Sequence, residues 1–131
     1  MKLYRPVGPA ELELIAQSGY RRFPPRLSSQ PIFYPVMSFE YAEQIARDWN
    51  SRDSTTRYKG YVTAFDVDDA YIAGFERPLV GGREHEELWV PASALEEFNR
   101  HLAGPIEVVA AYEHGRRLPD PPPDPVPPGR P

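Results

Sequence analysis

Apolar residues follow two alternating patterns along the chain: short continuous runs, and positions three or four residues apart. The runs are three to seven residues long, rich in aliphatic and aromatic side chains, and predict β-strands. They cover residues 3–7, 32–34, 61–67, 87–90 and 106–112. Proline lies near the ends of several runs, which favours edge strands and some antiparallel pairing.

Three segments between these runs have apolar residues at helical spacing and predict α-helices. The first begins at Pro9, which suits an initial helical turn, and Gly19 lies where a C-terminal cap is expected. Ser38 is expected to cap the second helix, and Ser93 with Glu96 to form a capping box at the third. The expected buried positions are Leu12, Ile15 and Ala16, then Tyr41, Ala42, Ile45, Ala46 and Trp49, then Leu95, Phe98 and Leu102.

The frequent change between strand and helix predicts one compact α+β domain over residues 1–112, with a mixed sheet and about three helices. Residues 113–131 contain eight of the 17 prolines and show no apolar periodicity. Such a composition buries too little apolar area to offset its ordering entropy, so this tail is predicted to be disordered. It is either a polyproline-like segment for a protein partner or a solvating extension.

Composition and charge limit the classes of protein and the cellular locations that are expected for this chain. With 15 basic and 19 acidic residues the chain of 131 residues has a net charge of −4, which argues against a general nucleic-acid-binding role. Cysteine is absent, and no apolar run approaches the ~20 residues that span a bilayer. The N-terminus lacks the apolar core of a signal peptide, so a cytoplasmic bacterial protein is expected.

Three glutamates, Glu84, Glu86 and Glu87, lie within four residues where the chain enters the strand run at 87–90, following Gly81 and Gly82. Their carboxylates repel one another, which is unusual in a simple connection, and the glycines allow a ligand to approach closely. On a strand, Glu87 and Trp89 share one face, while Leu88 and Val90 share the other. The segment is therefore either part of a site or a solvated acidic loop.

Arg5 interrupts the apolar first strand. Its planar fork of donors suits phosphate or ribose oxygens if it faces a cleft, whereas on an edge it is an ordinary surface charge. Arg22 and Arg26 lie in a local basic segment and have the same two interpretations. The three histidines lack metal-ligand spacing, so no metal site is predicted.

The order of these features resembles that of bacterial ADP-ribosyltransferase domains. Leu3-Tyr4-Arg5 and the helix at 11–19 are similar to the opening of the DNA-targeting and RNA 2′-phosphotransferase branches. Those branches carry His where this chain has Arg5, so Arg5 is closer to the toxin-like Arg-Ser-Glu type. Residues 82–91 are similar to the Glu-x-Glu loop and strand of that type, with one extra residue.

The extra residue leaves two candidates for the catalytic glutamate. Counting back from Pro91 selects Glu87, whereas counting forward from Arg83 selects Glu86. A loop absorbs an insertion more readily than a paired strand, which favours Glu87. By that count His85 replaces the first glutamate of the motif, which argues against an arginine acceptor.

Residues 1–112 as a whole resemble a family of small bacterial proteins labelled "ADP-ribosylation/crystallin J1". The shared segments are 3–8, 23–27, 30–36, 45–50 and 87–92. Crystallin J1 itself belongs with the ADP-ribosylglycohydrolases, which are larger, all-helical and bind magnesium through carboxylates. This chain offers no such pattern, so the resemblance implies an ADP-ribosyltransferase-like fold instead.

The resemblance implies NAD⁺ as the substrate. Glu87 would hold the ribose 2′-hydroxyl and oppose the positive charge that develops as nicotinamide leaves, while Arg5 would bind phosphate or ribose oxygens. The middle motif would be supplied by Tyr34 or Ser38, with Tyr34 stacked on nicotinamide and Ser38 equally suited to a simple helix cap.

Arg22 or Arg26 would reach the pyrophosphate of the same dinucleotide. The competing hypothesis is a non-catalytic binding module that keeps the fold, favoured by the shifted glutamate register and the missing Ser-Thr-Ser motif. Nucleotide-end chemistry like that of the RNA phosphotransferase branch is a third possibility, but the basic residues it needs are not evident.

Overall fold

A four-stranded sheet forms the centre of the protein in a computed structural model, which describes residues 1–77 and 86–119. Its strands are β1 (Lys2–Val7), β3 (Lys59–Asp66), β5 (Glu107–Glu113) and β6 (Arg116–Arg117), adjacent in that order. A separate pair joins β2 (Ile32–Phe33) to β4 (Val90–Pro91). The α-helices are α1 (Pro9–Gln17), α2 (Phe39–Asp48), α3 (Asp69–Ile72) and α4 (Leu95–Arg100).

The predicted α+β class is confirmed, but the expectation of a mixed sheet is wrong for the described residues. Each of their strand pairs is antiparallel. Antiparallel neighbours do not need the helical crossover that parallel strands require. The connections therefore do not force α1 and α2 onto the same face of the sheet. The described residues contain four α-helices, whereas about three were predicted. The additional helix is α3, a single turn that includes Tyr71 and Ile72.

The sheet is buried on both faces, and β3 has six consecutive buried residues. On one face, Leu3, Val7 and Phe65 pack with α1 and with the aromatic rings of Phe23 and Phe98. On the other face α2 lies against the sheet. Its buried residues pack with residues of the sheet in a second core group, which comprises Val36, Tyr41, Ala42, Ala46, Val62, Ala110 and Tyr112.

The predicted helix ends are confirmed for α1 and α2. Pro9 occupies the first turn of α1, Gly19 follows that helix at φ +75°, and the Ser38 hydroxyl accepts a 3.1 Å hydrogen bond from the backbone N–H of Tyr41. Trp49, predicted to be buried, is 70% exposed. It follows Asp48, the last residue of α2, and so lies beyond the helical stripe of buried residues.

The capping box predicted for the third of the expected helices, which is α4 in the structure, is wrong. A short 3₁₀ helix, Ala92–Ala94, precedes α4, and Ala94 occupies the N-cap position without a side-chain hydrogen bond. The 3₁₀ turn moves Ser93 away from the cap position, so the spacing between Ser93 and Glu96 has no capping function.

The folded part extends beyond the predicted boundary at residue 112. Strand β5 includes Glu113, and the chain turns at His114 and Gly115 to form β6. Leu118 then packs against the core and donates its backbone N–H to the carbonyl of Ala111 at 2.8 Å. Residues 113–118 therefore complete the sheet, while the rest of the predicted tail, from residue 120, lies outside the described residues.

None of the helices in residues 1–77 and 86–119 combines the length and apolar character needed to cross a membrane. The longest, α2, has ten residues.

Candidate functional site

A cavity of about 460 Å³ opens beside β1, at the edge that does not pair with β3. It contains one cationic and one anionic side chain among apolar and aromatic ones. The lining residues are Arg5, Pro6, Tyr34, Val36, Ile45, Asn50, Glu87 and Trp89. Its size lies within the range of about 300–1,000 Å³ that is typical of small-molecule sites.

Two single-residue backbone bridges connect Glu87 to this edge of β1. Tyr4 of β1 exchanges two backbone hydrogen bonds with Val36, at 3.0 and 2.7 Å, and Val36 in turn forms a bridge with Glu87. Backbone bonds from Met37 to Glu86 and from Leu88 to Pro35 support the second bridge. Two interstrand steps amount to about 10 Å, so the glutamate lies close to β1 although more than 80 residues separate them.

Both oxygens of the Glu87 carboxylate accept hydrogen bonds from aromatic side chains. The Tyr41 hydroxyl donates to Oε2 at 2.6 Å, and the Trp89 indole N–H donates to Oε1 at 3.0 Å. Burial, the hydrogen bond to Glu87 and the charge of that carboxylate raise the pKa of Tyr41 above its ordinary value. A tyrosine hydroxyl is protonated at physiological pH, so Tyr41 donates to the carboxylate and, together with Trp89, fixes it in one orientation.

The prediction that Glu87 and Trp89 share one face is confirmed. Both line the cavity, whereas Leu88 and Val90 are fully buried in the core. Alternation with a period of two residues puts Glu87 and Trp89 on one side and Leu88 and Val90 on the other, although regular strand structure begins only at Val90.

Arg5 is 8% exposed and forms a bidentate ion pair with Glu11 of α1. Its Nε donates to Oε2 at 2.6 Å and its Nη2 to Oε1 at 2.9 Å, while the guanidinium carbon lies 4.6 Å from the centre of the Phe33 ring. The edge-exposed interpretation of Arg5 is therefore wrong. Among the described residues, no hydrogen bond uses Nη1, so part of the donor fork is left for a ligand.

Arg26 forms a second cationic group near Arg5. Burial is the main cause that lowers the pKa of Arg26, and the positive charge of Arg5 lowers it further, while Glu11 and Tyr34 oppose the shift. Its Nε is buried and has no hydrogen-bond partner among the described residues. Arg26 is not among the residues that line the cavity, and within the described residues Glu11 is ion-paired with Arg5. The two neighbouring guanidinium groups with one carboxylate nearby leave an excess of positive charge suited to an anion.

Tyr34 contributes an aromatic edge to the cavity. It is 38% exposed and meets the Trp89 ring at an angle of 82°, with 6.1 Å between ring centres. Flat aromatic surfaces at this position suit a planar heterocycle, while the stacking of Tyr34 on nicotinamide stays a prediction.

Three other predicted site residues lie elsewhere. Ser38 caps α2, and Glu86 is not among the residues that line the cavity, although its carbonyl accepts the N–H of Met37. Arg22 lines a different pocket of about 300 Å³, together with Phe23. His85 and the two glycines before it lie outside the described residues.

Sequence patterns missed two residues of the site. The sequence patterns assign no role to Asn50 and predict Tyr41 only as a buried position, yet Asn50 lines the cavity and Tyr41 holds the glutamate. A buried tyrosine that needs a partner for its hydroxyl is a signal, but it does not say which carboxylate is the partner.

Comparison of the chain with protein-family models, with characterised proteins and with solved structures finds no match. The resemblance to ADP-ribosyltransferase domains therefore stays a prediction, and the site must be judged by its own chemistry.

Proposed function

We propose that this protein binds NAD⁺ and cleaves its nicotinamide–ribose bond, as an ADP-ribosyltransferase or an NAD glycohydrolase. The observation that supports the proposal is that Arg5 and Glu87 line one cavity, although they are far apart in sequence. This is the pair of charges that the reaction needs.

The charge of Glu87 suits the bond that breaks. As the bond from ribose C1′ to the pyridinium nitrogen lengthens, nicotinamide leaves with the electron pair and the ribose gains oxocarbenium character. A carboxylate fixed by Tyr41 and Trp89 stabilises that cation without reorganising. Each carboxylate oxygen has a further lone pair, so Glu87 can also accept a hydrogen bond from the ribose 2′-hydroxyl.

The two guanidinium groups suit the other half of the ligand. Arg5 and Arg26 have one carboxylate between them, and a pyrophosphate would supply the missing negative charge. The cavity then receives the nicotinamide riboside portion against Tyr34 and Trp89. Arg22 has no part in this arrangement, because it lines another pocket.

The cation at C1′ is captured by a nucleophile, which loses a proton to the solvent. Water gives ADP-ribose, and a hydroxyl or amine on another molecule gives an ADP-ribosylated product. Both outcomes begin with the same bond cleavage, so nicotinamide release reports on either.

The pairing of Arg5 with Glu11 favours a second candidate, a binding module that does not catalyse cleavage. Two of the nitrogens of the Arg5 fork are already occupied by Glu11, so a ligand would meet a partly neutralised guanidinium. Such a protein would bind the dinucleotide and leave it intact.

Chromatographic detection of nicotinamide separates the two candidates. The wild-type protein is expected to release nicotinamide from NAD⁺, and Glu87→Gln to lose about 10²–10³ in rate. Glu86→Gln is the matched control, expected to keep the rate because that side chain is outside the cavity lining. An NAD⁺-dependent rise in Tm without release would favour the binding module, and no response in either assay would refute both.

A further inference from the structure

Asn50 belongs to the lining of the cavity and carries a buried acceptor that has no partner in the part of the chain that the structure describes. It lies in a 3₁₀ helix, Asn50–Arg52, just after α2, and lines the cavity with Glu87 and Trp89. Its Oδ1 atom is buried and has no hydrogen-bond partner among the described residues. Because an unpaired buried acceptor is unfavourable, its presence calls for a donor that the protein itself does not supply.

A role in the local turn does not explain this side chain. The backbone carbonyl of Asn50 already accepts the N–H of Asp53 at 3.2 Å and the hydroxyl of Thr56. Neighbouring polar residues use their side chains in the way that turns require. Asp53 accepts the N–H of Thr55 at 2.9 Å, and the Ser51 hydroxyl donates to the carbonyl of Arg47.

The position of Asn50 is fixed by close packing. A Cβ atom at Gly60 of β3 would lie 2.8 Å from the Cβ of Asn50 and would collide with the carbonyl of Ala46. Glycine at this point lets the end of α2 approach the sheet, which brings the following residue to the cavity.

From this arrangement, and on the basis of the proposed function, we infer that Asn50 recognises the carboxamide of nicotinamide and determines specificity for it. The carboxamide supplies an N–H donor to Oδ1, which satisfies the unpaired acceptor. A nicotinic acid group has a carboxylate with no donor at neutral pH, and it would face two acceptors, Asn50 and Glu87. Asn50 therefore selects NAD⁺ over its deamidated form, nicotinic acid adenine dinucleotide.

Calorimetric titration of the full chain with each dinucleotide tests the inference at low temperature, where turnover is slow during a titration. Wild type is expected to bind NAD⁺ about tenfold more tightly than the deamidated form. Asn50→Leu, which has a similar volume and no acceptor, is expected to weaken NAD⁺ binding about three- to tenfold and to bring the two affinities close together. Asn50→Asp keeps an acceptor and is expected to retain the preference for NAD⁺.

Thermal unfolding gives the readout that separates ligand recognition from a structural role. Asn50→Leu is expected to keep or raise the Tm without ligand, because it removes an unpaired buried polar atom. An unchanged preference in Asn50→Leu overturns the inference while NAD⁺ binding itself stands. Loss of NAD⁺ affinity in Asn50→Asp also overturns it, since the amide N–H would then be the recognising group. If wild type binds neither dinucleotide, the proposed function fails as well.

Discussion

The hydroxyl of Tyr41 on α2 donates a 2.6 Å hydrogen bond to Oε2 of Glu87, 46 residues further along the chain. A similar bond joins Tyr112 to Glu43, also at 2.6 Å, away from the cavity. The two pairs have the same chemistry, so they allow the stabilising effect of a tyrosine–carboxylate bond to be separated from its effect on the site.

Tyr41→Phe is expected to reduce both stability and activity, because Glu87 loses the donor that orients it. Bonds to charged groups contribute about 1.5–3 kcal/mol, so the free energy of unfolding in urea should fall by that amount. Nicotinamide release should fall about tenfold. Tyr112→Phe, the control, should lose similar stability and keep its activity when measured below its Tm. Equal rates for the two variants would contradict the positioning role of Tyr41.

Removing the carboxylate partner of Arg5 is expected to destabilise the fold and to strengthen anion binding. Glu11→Gln leaves Arg5 and Arg26 near each other without the negative charge that pairs with Arg5 and acts on Arg26 through space. Urea unfolding should show a loss of about 1.5–3 kcal/mol. Added pyrophosphate should raise the Tm of this variant more than that of wild type.

Glu13→Gln is the matched control for this substitution, because Glu13 is an exposed residue of the same helix. Its stability should stay within about 0.5 kcal/mol of wild type. If pyrophosphate shifts the Tm of Glu11→Gln and wild type equally, the two arginines do not form an anion site.

A methyl group added at Gly60 is expected to push the end of α2 away from the sheet. Gly60→Ala should lower the free energy of unfolding by about 1–3 kcal/mol, the usual cost of overpacking. NAD⁺ affinity should fall too, since Asn50 moves with the helix end. Gly74→Ala is the control, because its Cβ would meet only an ordinary contact of 3.8 Å with the Tyr71 carbonyl. A normal NAD⁺ affinity in a folded Gly60→Ala protein would disprove this coupling.

Stability is expected to fall as the pH rises above about 10. Burial is the largest cause that raises the pKa at each of four tyrosines, Tyr41, Tyr61, Tyr71 and Tyr112. The unfolded chain releases these protons near pH 10, whereas the folded protein still holds them, so unfolding is favoured increasingly at higher pH.

Urea unfolding between pH 8 and pH 11 measures this effect. Each such tyrosine contributes at most about 1.4 kcal/mol per pH unit to the slope. Tyr112→Phe should show a shallower decline than wild type, because one of the contributing groups is gone. A decline of the same steepness in both proteins would show that Tyr112 titrates normally in the fold.

Local periodicity predicted the elements that depend on neighbours in sequence. The ends of α1 and α2 follow from Pro9, Gly19 and Ser38, and strand alternation placed Glu87 and Trp89 on one face. Each of these features is determined by residues close to one another in the chain, so a local sequence pattern is enough to predict it.

The remaining features depend on tertiary contacts that no local pattern encodes. The pairing of Arg5 with Glu11 requires α1 to fold back along β1, and the exposure of Trp49 depends on where α2 ends. The order of the strands, and the short hairpin that extends the sheet past residue 112, follow from long-range pairing. Asn50 becomes notable only when its side chain is found buried without a partner.

The single-residue bridges beside β1 also affect how the protein behaves in a crowded solution. An unprotected edge strand offers backbone groups to other chains and favours aggregation. Here Val36 occupies the edge groups of Tyr4, and Pro6, two residues later, has no N–H to offer in the same direction. A foreign strand could pair with β1 at Tyr4 only by displacing the segment that connects it to Glu87, so the wall of the cavity also protects this edge of the sheet.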